Sequence, residues 1–185
     1  MLEDLGRAEL LLDYTQKTGR ANRAAAQGLM AKLYLTAASS KESGVAKYTE
    51  MIASVEDLYE SAATCAKKVL DASQKGECRF GLSENLADIY DVNKPDGPEH
   101  VFIMSMDRTG LNEGNFYVKA GSSLYPSHYG FEVFPTNMAF YRTYDENDKR
   151  RTDLINTEMY NADGSVYATS AYPYTLKYTD PDQVT

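Results

Sequence analysis

Apolar and polar positions recur with a helical period through the first half of the chain, most clearly from residue 54 onward. Ser54, with Asp57 three residues later, is typical of a capping box at the start of a helix. A charged face opposes the apolar face, so the pattern predicts an amphipathic helix that ends near Ser73. Its apolar positions follow at steps of three and four residues: Val55, Leu58, Ala62, Cys65, Ala66, Val69 and Leu70.

A second helical segment, from Gly19 to Leu35, is dominated by small side chains. Asn22 is its candidate N-cap, because an amide oxygen there can accept a hydrogen bond from an unpaired backbone N–H. The helical pattern runs out at Ser39 and Ser40. Gly28 costs about 1 kcal/mol relative to Ala in a helix interior, which favours a neighbouring backbone packed close to it. The small residues are Ala24, Ala25, Ala26, Gly28 and Ala31.

Two further helices are predicted in this half, over residues 3–14 and, with Ser83 as its cap, over residues 84–90. Residues 41–47, which include Gly44, are predicted to form a polar loop. Helices of this size joined by short loops indicate antiparallel pairs, so residues 1–91 predict a tetratricopeptide-like helical array, an α-α superhelix.

The chain changes character after Tyr90. Pro and Gly residues at 95–98 form a linker, and residues 109–135 show no clear helical period. We therefore predict a mainly α fold, in which the helical scaffold of residues 1–91 is followed by a loop-rich α+β region with short strands over residues 92–185 of the same domain. The elements predicted in the second part are a strand over 100–106, a short helix over 137–144, and a hairpin of 154–160 with 165–169 around a turn at 161–164.

The balance of charge excludes some classes of partner. The formal net charge is −8, and no basic patch is present, so we expect no nucleic-acid ligand. An acidic surface also disfavours electrostatic docking on anionic lipid. No run of about 18 apolar residues exists, so no membrane span is predicted. The charge of the chain does not exclude a neutral ligand.

The sequence offers no recognisable catalytic, cofactor or metal pattern. The two cysteines, Cys65 and Cys78, are expected to be free thiols, with a disulfide left open, and they match no zinc spacing. Two histidines lack the context of a catalytic triad, and no pair of carboxylates is singled out as acid and base. Residues 145–148 lack the Gly and Glu of a calcium loop. We expect no catalytic residue, no metal site and no cofactor.

Tyrosine is unusually frequent, with 15 residues in the chain, and most of them lie in its second half. A tyrosine ring can cover the apolar face of a sugar while nearby polar groups bond its hydroxyls. The long segment without helical period combines aromatic and polar residues in this way. Its candidate ligand contacts are Tyr117, Tyr125, His128, Tyr129, Phe131 and Asn115.

Packing is the competing role for each of these tyrosines, since a buried ring with a bonded hydroxyl is the common case in loop-rich structure. Tyr34 and Tyr59, on predicted helices, are interpreted as packing residues. Asp148, Arg150 and Arg151 are interpreted as a structural charged corner.

Five sequence elements, in order along the chain, resemble the SusD/RagB family of outer-membrane nutrient-binding lipoproteins. One of them, Leu86–Tyr90 with Glu99–Ile103, is similar to the family's helix followed by E-x-I/V-F-x-I. The fourth element, at residues 144–151, differs from the family pattern in that Lys149 stands where Pro is common. The other four are Gly19–Asn22 with the Ala-rich helix ending at Leu35, Leu58–Leu70, Tyr144–Asp145 with Asp148–Arg151, and Leu176–Tyr178.

The resemblance implies a non-catalytic surface protein that captures an oligosaccharide and delivers it to a SusC-like TonB-dependent barrel. It implies an outer-membrane, surface-exposed location with a lipid anchor on an N-terminal Cys. Neither that Cys nor a signal peptide is present here, so we expect the chain to be the middle part of a longer family member. Some members take up peptides or glycopeptides, so the nature of the nutrient stays open.

Two other classes of function remain open from the sequence. A helical-repeat scaffold for protein partners would explain residues 1–90 but not the tyrosine-rich half. A glycoside hydrolase would need a pair of catalytic carboxylates, which spacing in a sequence does not reveal.

Overall fold

The computed structural model describes residues 1–15, 19–91, 93–103, 135–160, 163 and 165–178. The candidate ligand residues between 104 and 134 therefore lie outside the described residues. The chain forms two compact units. One comprises Met1–Leu82 together with the segment that starts at Pro98, and the other comprises Ser83–Gly97 and the described residues from 135 onward. The domain division at residue 91 stays a prediction.

The first unit is built from helices that pack around α2. They are α1 (Leu2–Leu11), α2 (Arg23–Glu42), α3 (Ala46–Thr49) and α4 (Val55–Gln74). Helices α2 and α4 have 20 residues each, a length of about 30 Å. They pack against each other along that length, and α1 packs on α2.

Both predicted helix caps are confirmed. The Asn22 side chain accepts a hydrogen bond from the Ala25 N–H at 2.9 Å. Ser54 and Asp57 form a reciprocal capping box, in which each side chain accepts a hydrogen bond from the other residue's backbone N–H. These bonds satisfy N–H groups that have no partner within the helix.

The connection between α2 and α4 differs from the predicted polar loop over 41–47. Helix α2 continues to Glu42, Gly44 takes a left-handed φ of +76°, and α3 follows directly. The Lys41 ammonium donates hydrogen bonds to the carbonyls of Met51 and Ala53, each at 2.7 Å. Those two bonds hold the returning chain against the end of α2, which explains why the helix outlasts its apolar pattern.

The core of this unit lies between the second half of α2 and the start of α4. Its buried centre is Ala37, Ala38 and Leu58. Tyr34 and Tyr59 pack against this centre, which confirms their interpretation as packing residues. Cys65 is buried on α4 and Cys78 lies in the segment after it, both as free thiols, as predicted.

A polar network joins α1 to the first part of α2 and the last part of α4. The Glu9 carboxylate accepts hydrogen bonds from Gln27 at 3.0 Å and from Lys68 at 2.7 Å. The Gln27 carbonyl oxygen accepts a bond from the Tyr14 hydroxyl at 3.1 Å. Gln27 is only 3% exposed, so these bonds are needed to satisfy a buried amide.

The predicted close contact at Gly28 is absent from the described structure. A Cβ built on Gly28 meets no described atom within 4 Å outside its own helix and chain neighbours, and the residue is exposed. The backbone that the glycine was expected to accommodate is therefore not among the described residues.

The second unit contains α5 (Met138–Tyr141), α6 (Lys149–Leu154) and an antiparallel pair of strands, β1 (Ile155–Tyr160) and β2 (Val166–Thr175). The hairpin is confirmed, and β2 continues past the predicted end at Thr169. Its register pairs Ile155 with Thr175 and Glu158 with Thr169, with an irregularity between Asn156 and Glu158. A short helix forms within the predicted range 137–144, with Asn137 as its N-cap, but it ends early, at Tyr141.

Two predicted elements take another form. Residues 86–90 make a 3-10 helix after Asn85, not an α-helix capped by Ser83, and Asn85 supplies no side-chain cap. Residues 100–103 form no strand; the carbonyls of Val101 and Ile103 accept hydrogen bonds from the Asn22 side chain and the Gly19 N–H. The part of that prediction after 103 lies outside the described residues.

The fold class is confirmed as mainly α with a small two-stranded antiparallel sheet. The tetratricopeptide-like arrangement of the helices stays a prediction. Among the described residues, no helix is both long enough and apolar enough to cross a bilayer.

Replacing Glu9 by Gln should reduce stability by about 1 kcal/mol at neutral pH, because it removes the charge that accepts the Lys68 bond. Burial disfavours the charged carboxylate, but the bonds from Lys68 and Gln27 outweigh it and lower the pKa of Glu9 below 4.5. The stabilisation that the charged Glu9 carboxylate contributes is therefore present above pH 4.5, and it is lost as the pH falls through the folded-state pKa of Glu9.

Urea unfolding at about pH 7 and about pH 2.5 tests this dependence. Wild type and Glu9→Gln should differ at the higher pH and converge at the lower one. Glu60→Gln, at an exposed position on α4, is the matched control and should match wild type at both. An equal difference at both pH values would contradict the role given to the Glu9 charge.

Gly28→Ala should stabilise the 185-residue chain by about 0.5–1 kcal/mol, because the added methyl meets open space and restricts the unfolded chain. Gly44→Ala is the paired control and should destabilise the chain, because Gly44 has a left-handed backbone. Urea unfolding of both variants measures the difference, and destabilisation by Gly28→Ala would show that a neighbour already packs there.

Candidate functional site

Hydrogen bonds anchor the described chain ahead of the predicted ligand segment, residues 109–135, and at the last residue of that segment. Ahead of it, in the first unit, the Asn22 amide donates to the Val101 carbonyl at 2.8 Å, and the Gly19 N–H donates to the Ile103 carbonyl at 3.0 Å. Asn22 is 1% exposed. Residues 101 and 103 are therefore fixed to the start of α2 and to the residues just before it.

At the other end, in the second unit, the chain re-enters beside β2. The Thr136 N–H donates to the Pro173 carbonyl at 2.7 Å, and Pro135 pairs with Tyr174 in an isolated antiparallel bridge. Tyr174 is buried, and its hydroxyl donates to the Glu158 carbonyl on β1. This end of the segment is therefore fixed to the hairpin.

The structure does not describe the residues that are predicted to contact the ligand. Tyr117, Tyr125, His128, Tyr129, Phe131 and Asn115 all lie outside the described residues. Their role as sugar contacts stays a prediction.

Two exposed aromatic rings, which the sequence interpretation missed, lie on elements next to the second of these ends. Phe140 on α5 is 53% exposed and Tyr172 on β2 is 63% exposed. Large apolar rings at the surface are candidates for contact with the apolar face of a ligand. Their signal in the sequence was weak, because each stands beside other tyrosines that are partly or fully buried.

The charged corner beside Phe140 is built as a structural element. Asp148 caps α6 by accepting from the Arg150 N–H at 2.9 Å, and its carboxylate also pairs with the Arg150 guanidinium at 2.5 Å. Bonds from the Arg150 side chain and backbone lower the pKa of Asp148. The Arg150 guanidinium also lies 5.1 Å from the centre of the Tyr144 ring.

Arg151 extends the same corner on the opposite side. Its guanidinium lies 4.9 Å from the centre of the Tyr141 ring and donates to the Tyr144 carbonyl at 3.3 Å. The Phe140 and Tyr144 rings meet edge to face, with centres 5.3 Å apart. Both arginines are thus engaged within the protein, which confirms the structural interpretation and leaves Phe140 as the exposed ring of this corner.

Within the described ranges, no group of three or more His, Cys, Asp or Glu side chains is arranged to hold a metal ion.

Asp148→Ala should lower the urea midpoint more than Asp148→Asn. Asparagine keeps the oxygen that caps α6 but loses the ion pair with Arg150, whereas alanine loses both. Equal midpoints for the two variants would show that the cap contributes nothing.

Comparison with known proteins identifies a solved structure with a similar fold. No protein-family model and no curated protein sequence matches this chain. The crystal structure of a SusD superfamily protein from Bacteroides fragilis is similar to it, with a TM-score of 0.57 and 15% sequence identity. The similarity covers 95% of this chain and 39% of that protein.

The extent of the match fits the resemblance carried by the five sequence elements, because it includes nearly all of the chain. The chain spans about two fifths of the length of the solved protein. Over nearly its whole length, this polypeptide has a SusD-like fold.

Proposed function

We propose that this chain is part of a carbohydrate-binding protein that captures oligosaccharides without transforming them. The observation that carries the proposal is the SusD-like fold over 95% of the chain. Sugars have apolar ring faces, so aromatic side chains can bind them at low ordering cost. The binding surface is assigned to the segment of residues 109–135, with Tyr117, Tyr125, Tyr129 and Phe131 as stacking residues and Asn115 and His128 as hydroxyl partners.

The described C-terminal end of that segment supports the assignment. Fixing the chain beside a binding loop reduces the conformational freedom that is lost on binding. Pro135 and Thr136 are bonded to Tyr174 and Pro173 of β2, within the same unit. Phe140 and Tyr172 supply further exposed rings on elements next to that end.

The proposed cellular role follows from the SusD/RagB resemblance. The complete protein is a lipid-anchored protein of the outer-membrane surface, and it passes bound oligosaccharide to a SusC-like TonB-dependent barrel. Uptake of peptides or glycopeptides, which the same resemblance allows, is the alternative form of this role.

The test is a titration of the complete polypeptide, expressed from its gene, with neutral α- and β-linked oligosaccharides of hexoses, pentoses and N-acetylhexosamines. Tyr125→Ala and Tyr129→Ala should each weaken binding about tenfold, the equivalent of one lost stacking contact. Leu82→Ala, which removes an exposed apolar side chain, is the control and should bind as wild type does. Stacking on a neutral ligand should also leave affinity nearly unchanged between about 0.05 and 0.5 M salt.

Three results would contradict the proposal. Unchanged affinity in both tyrosine variants would favour a helical scaffold for protein partners. Affinity that collapses as salt rises would indicate a charged ligand. Release of shorter sugars, abolished by one carboxylate substitution, would establish a glycoside hydrolase.

A further inference from the structure

Strand β2 makes a wide bulge opposite the middle of β1. The register pairs Asn156 with Tyr174 and Glu158 with Thr169. One residue of β1 therefore lies opposite four residues of β2, which are Ser170, Ala171, Tyr172 and Pro173. Extra residues in one strand of an antiparallel pair bend that strand and re-aim its side chains. We call residues 170–173 the bulge.

Contacts on both strands hold the bulge in place. On β1, the Asn156 side-chain oxygen accepts hydrogen bonds from the N–H groups of the next two residues, at 2.7 and 2.9 Å. Within the bulge, the Ser170 hydroxyl oxygen accepts the Tyr172 N–H at 3.2 Å. Pro173 is fully buried, and it suits this position because a proline has no N–H to donate to a strand ladder. The backbone that carries Tyr172 is therefore fixed by the protein itself.

Tyr172 is the ring that the bulge presents at the surface. It is 63% exposed, whereas the next two residues, Pro173 and Tyr174, are buried. The Tyr174 hydroxyl donates to the Glu158 carbonyl, which attaches this part of β2 to β1. A tyrosine on a fixed backbone offers a large contact area and loses little conformational freedom when it binds.

The stretch of chain around Tyr172 carries no charge. Residues 164–176 contain no Asp, Glu, Lys, Arg or His, although 25% of the residues in the whole chain are Asp, Glu, Lys or Arg. The polar side chains of this stretch are hydroxyls, those of its Ser, Thr and Tyr residues. A charged peptide would find no ion-pair partner in it. Uncharged rings and hydroxyls suit a neutral ligand with apolar ring faces and a hydroxyl rim, which is the chemistry of a sugar.

The bulge also adjoins the end of the predicted ligand segment. The Thr136 N–H donates to the Pro173 carbonyl at 2.7 Å, and Pro135, the last residue of the segment, pairs with Tyr174. All of these residues belong to the second unit. Tyr172 therefore precedes, in the chain, the two residues that hold the segment at its end.

We propose that Tyr172 stacks on one unit of the bound oligosaccharide, a unit other than those that contact the segment of residues 109–135. This inference rests on the proposed carbohydrate function and narrows its ligand class. The preferred ligand is a neutral oligosaccharide long enough to extend from the segment to Tyr172, so affinity increases with the number of sugar units.

The test measures affinity against chain length in the complete polypeptide. The probes are neutral β-1,4-linked series of glucose, xylose and N-acetylglucosamine and the α-1,4-linked glucose series, each from two to six units long. Tyr172→Ala should weaken binding of the longest bound member about tenfold, the equivalent of one lost stacking contact, and leave the shortest bound member unchanged. Tyr172→Phe keeps the ring and should bind nearly as wild type does.

Two further variants control for effects on the fold. Val166→Ala removes another exposed apolar side chain of β2, 53% exposed, and should leave every affinity unchanged. Tyr172→Leu keeps an apolar side chain of similar length without a ring, and it gives a second reading if Tyr172→Ala does not fold. Urea midpoints equal to that of wild type show that a variant is folded.

Equal affinity of wild type and Tyr172→Ala at every length, with Tyr125→Ala still weakened, would overturn this inference and leave the proposed function standing. An equal loss at all lengths would overturn it too, because an effect on the fold does not depend on the length of the sugar. A change in oligomeric state alone would assign the ring to a contact between copies of the chain. If wild type binds none of these sugars, the proposed function is overturned and this inference with it.

Discussion

The buried side-chain amide of Asn22 fixes where α2, the helix around which the first unit packs, begins. Its oxygen caps α2 at Ala25, and its nitrogen donates to the carbonyl of Val101, 79 residues further along the chain. At 1% exposure, neither group has water as an alternative, so both bonds must be present in the folded state. The same side chain therefore caps one of the two 20-residue helices and fixes Val101, which precedes the predicted ligand segment in the chain.

The helices around that point are joined by polar as well as apolar contacts. Glu9, Gln27 and Lys68 link three helices through one carboxylate, while Ala37, Ala38 and Leu58 form the buried centre. A core of small residues gains little from area burial alone. The polar network compensates for this small gain by fixing the relative positions of α1, α2 and α4. The small-sided face of α2 at Gly28 is exposed beside the network.

Features set by neighbouring residues were predictable from the sequence. The Asn22 cap, the Ser54–Asp57 capping box and the β1–β2 hairpin each depend on groups a few residues apart, and each is confirmed. Features decided by distant partners were not predictable. The described part of the strand predicted over 100–106 is bonded through its carbonyls to Asn22 and Gly19 and forms no strand, and α2 outlasts its pattern because Lys41 bonds the returning chain. Phe140 and Tyr172 were missed because exposure of a ring is decided by packing that the sequence pattern does not report.

We assign ligand contact to the segment of residues 109–135, which the helical unit precedes in the chain. The most direct test is a crystal structure of the complete polypeptide with a bound oligosaccharide. We predict a sugar ring stacked on at least one aromatic side chain of that segment, with hydroxyls bonded to its polar residues. A sugar bound without contact to any residue from 109 to 135 would contradict this assignment.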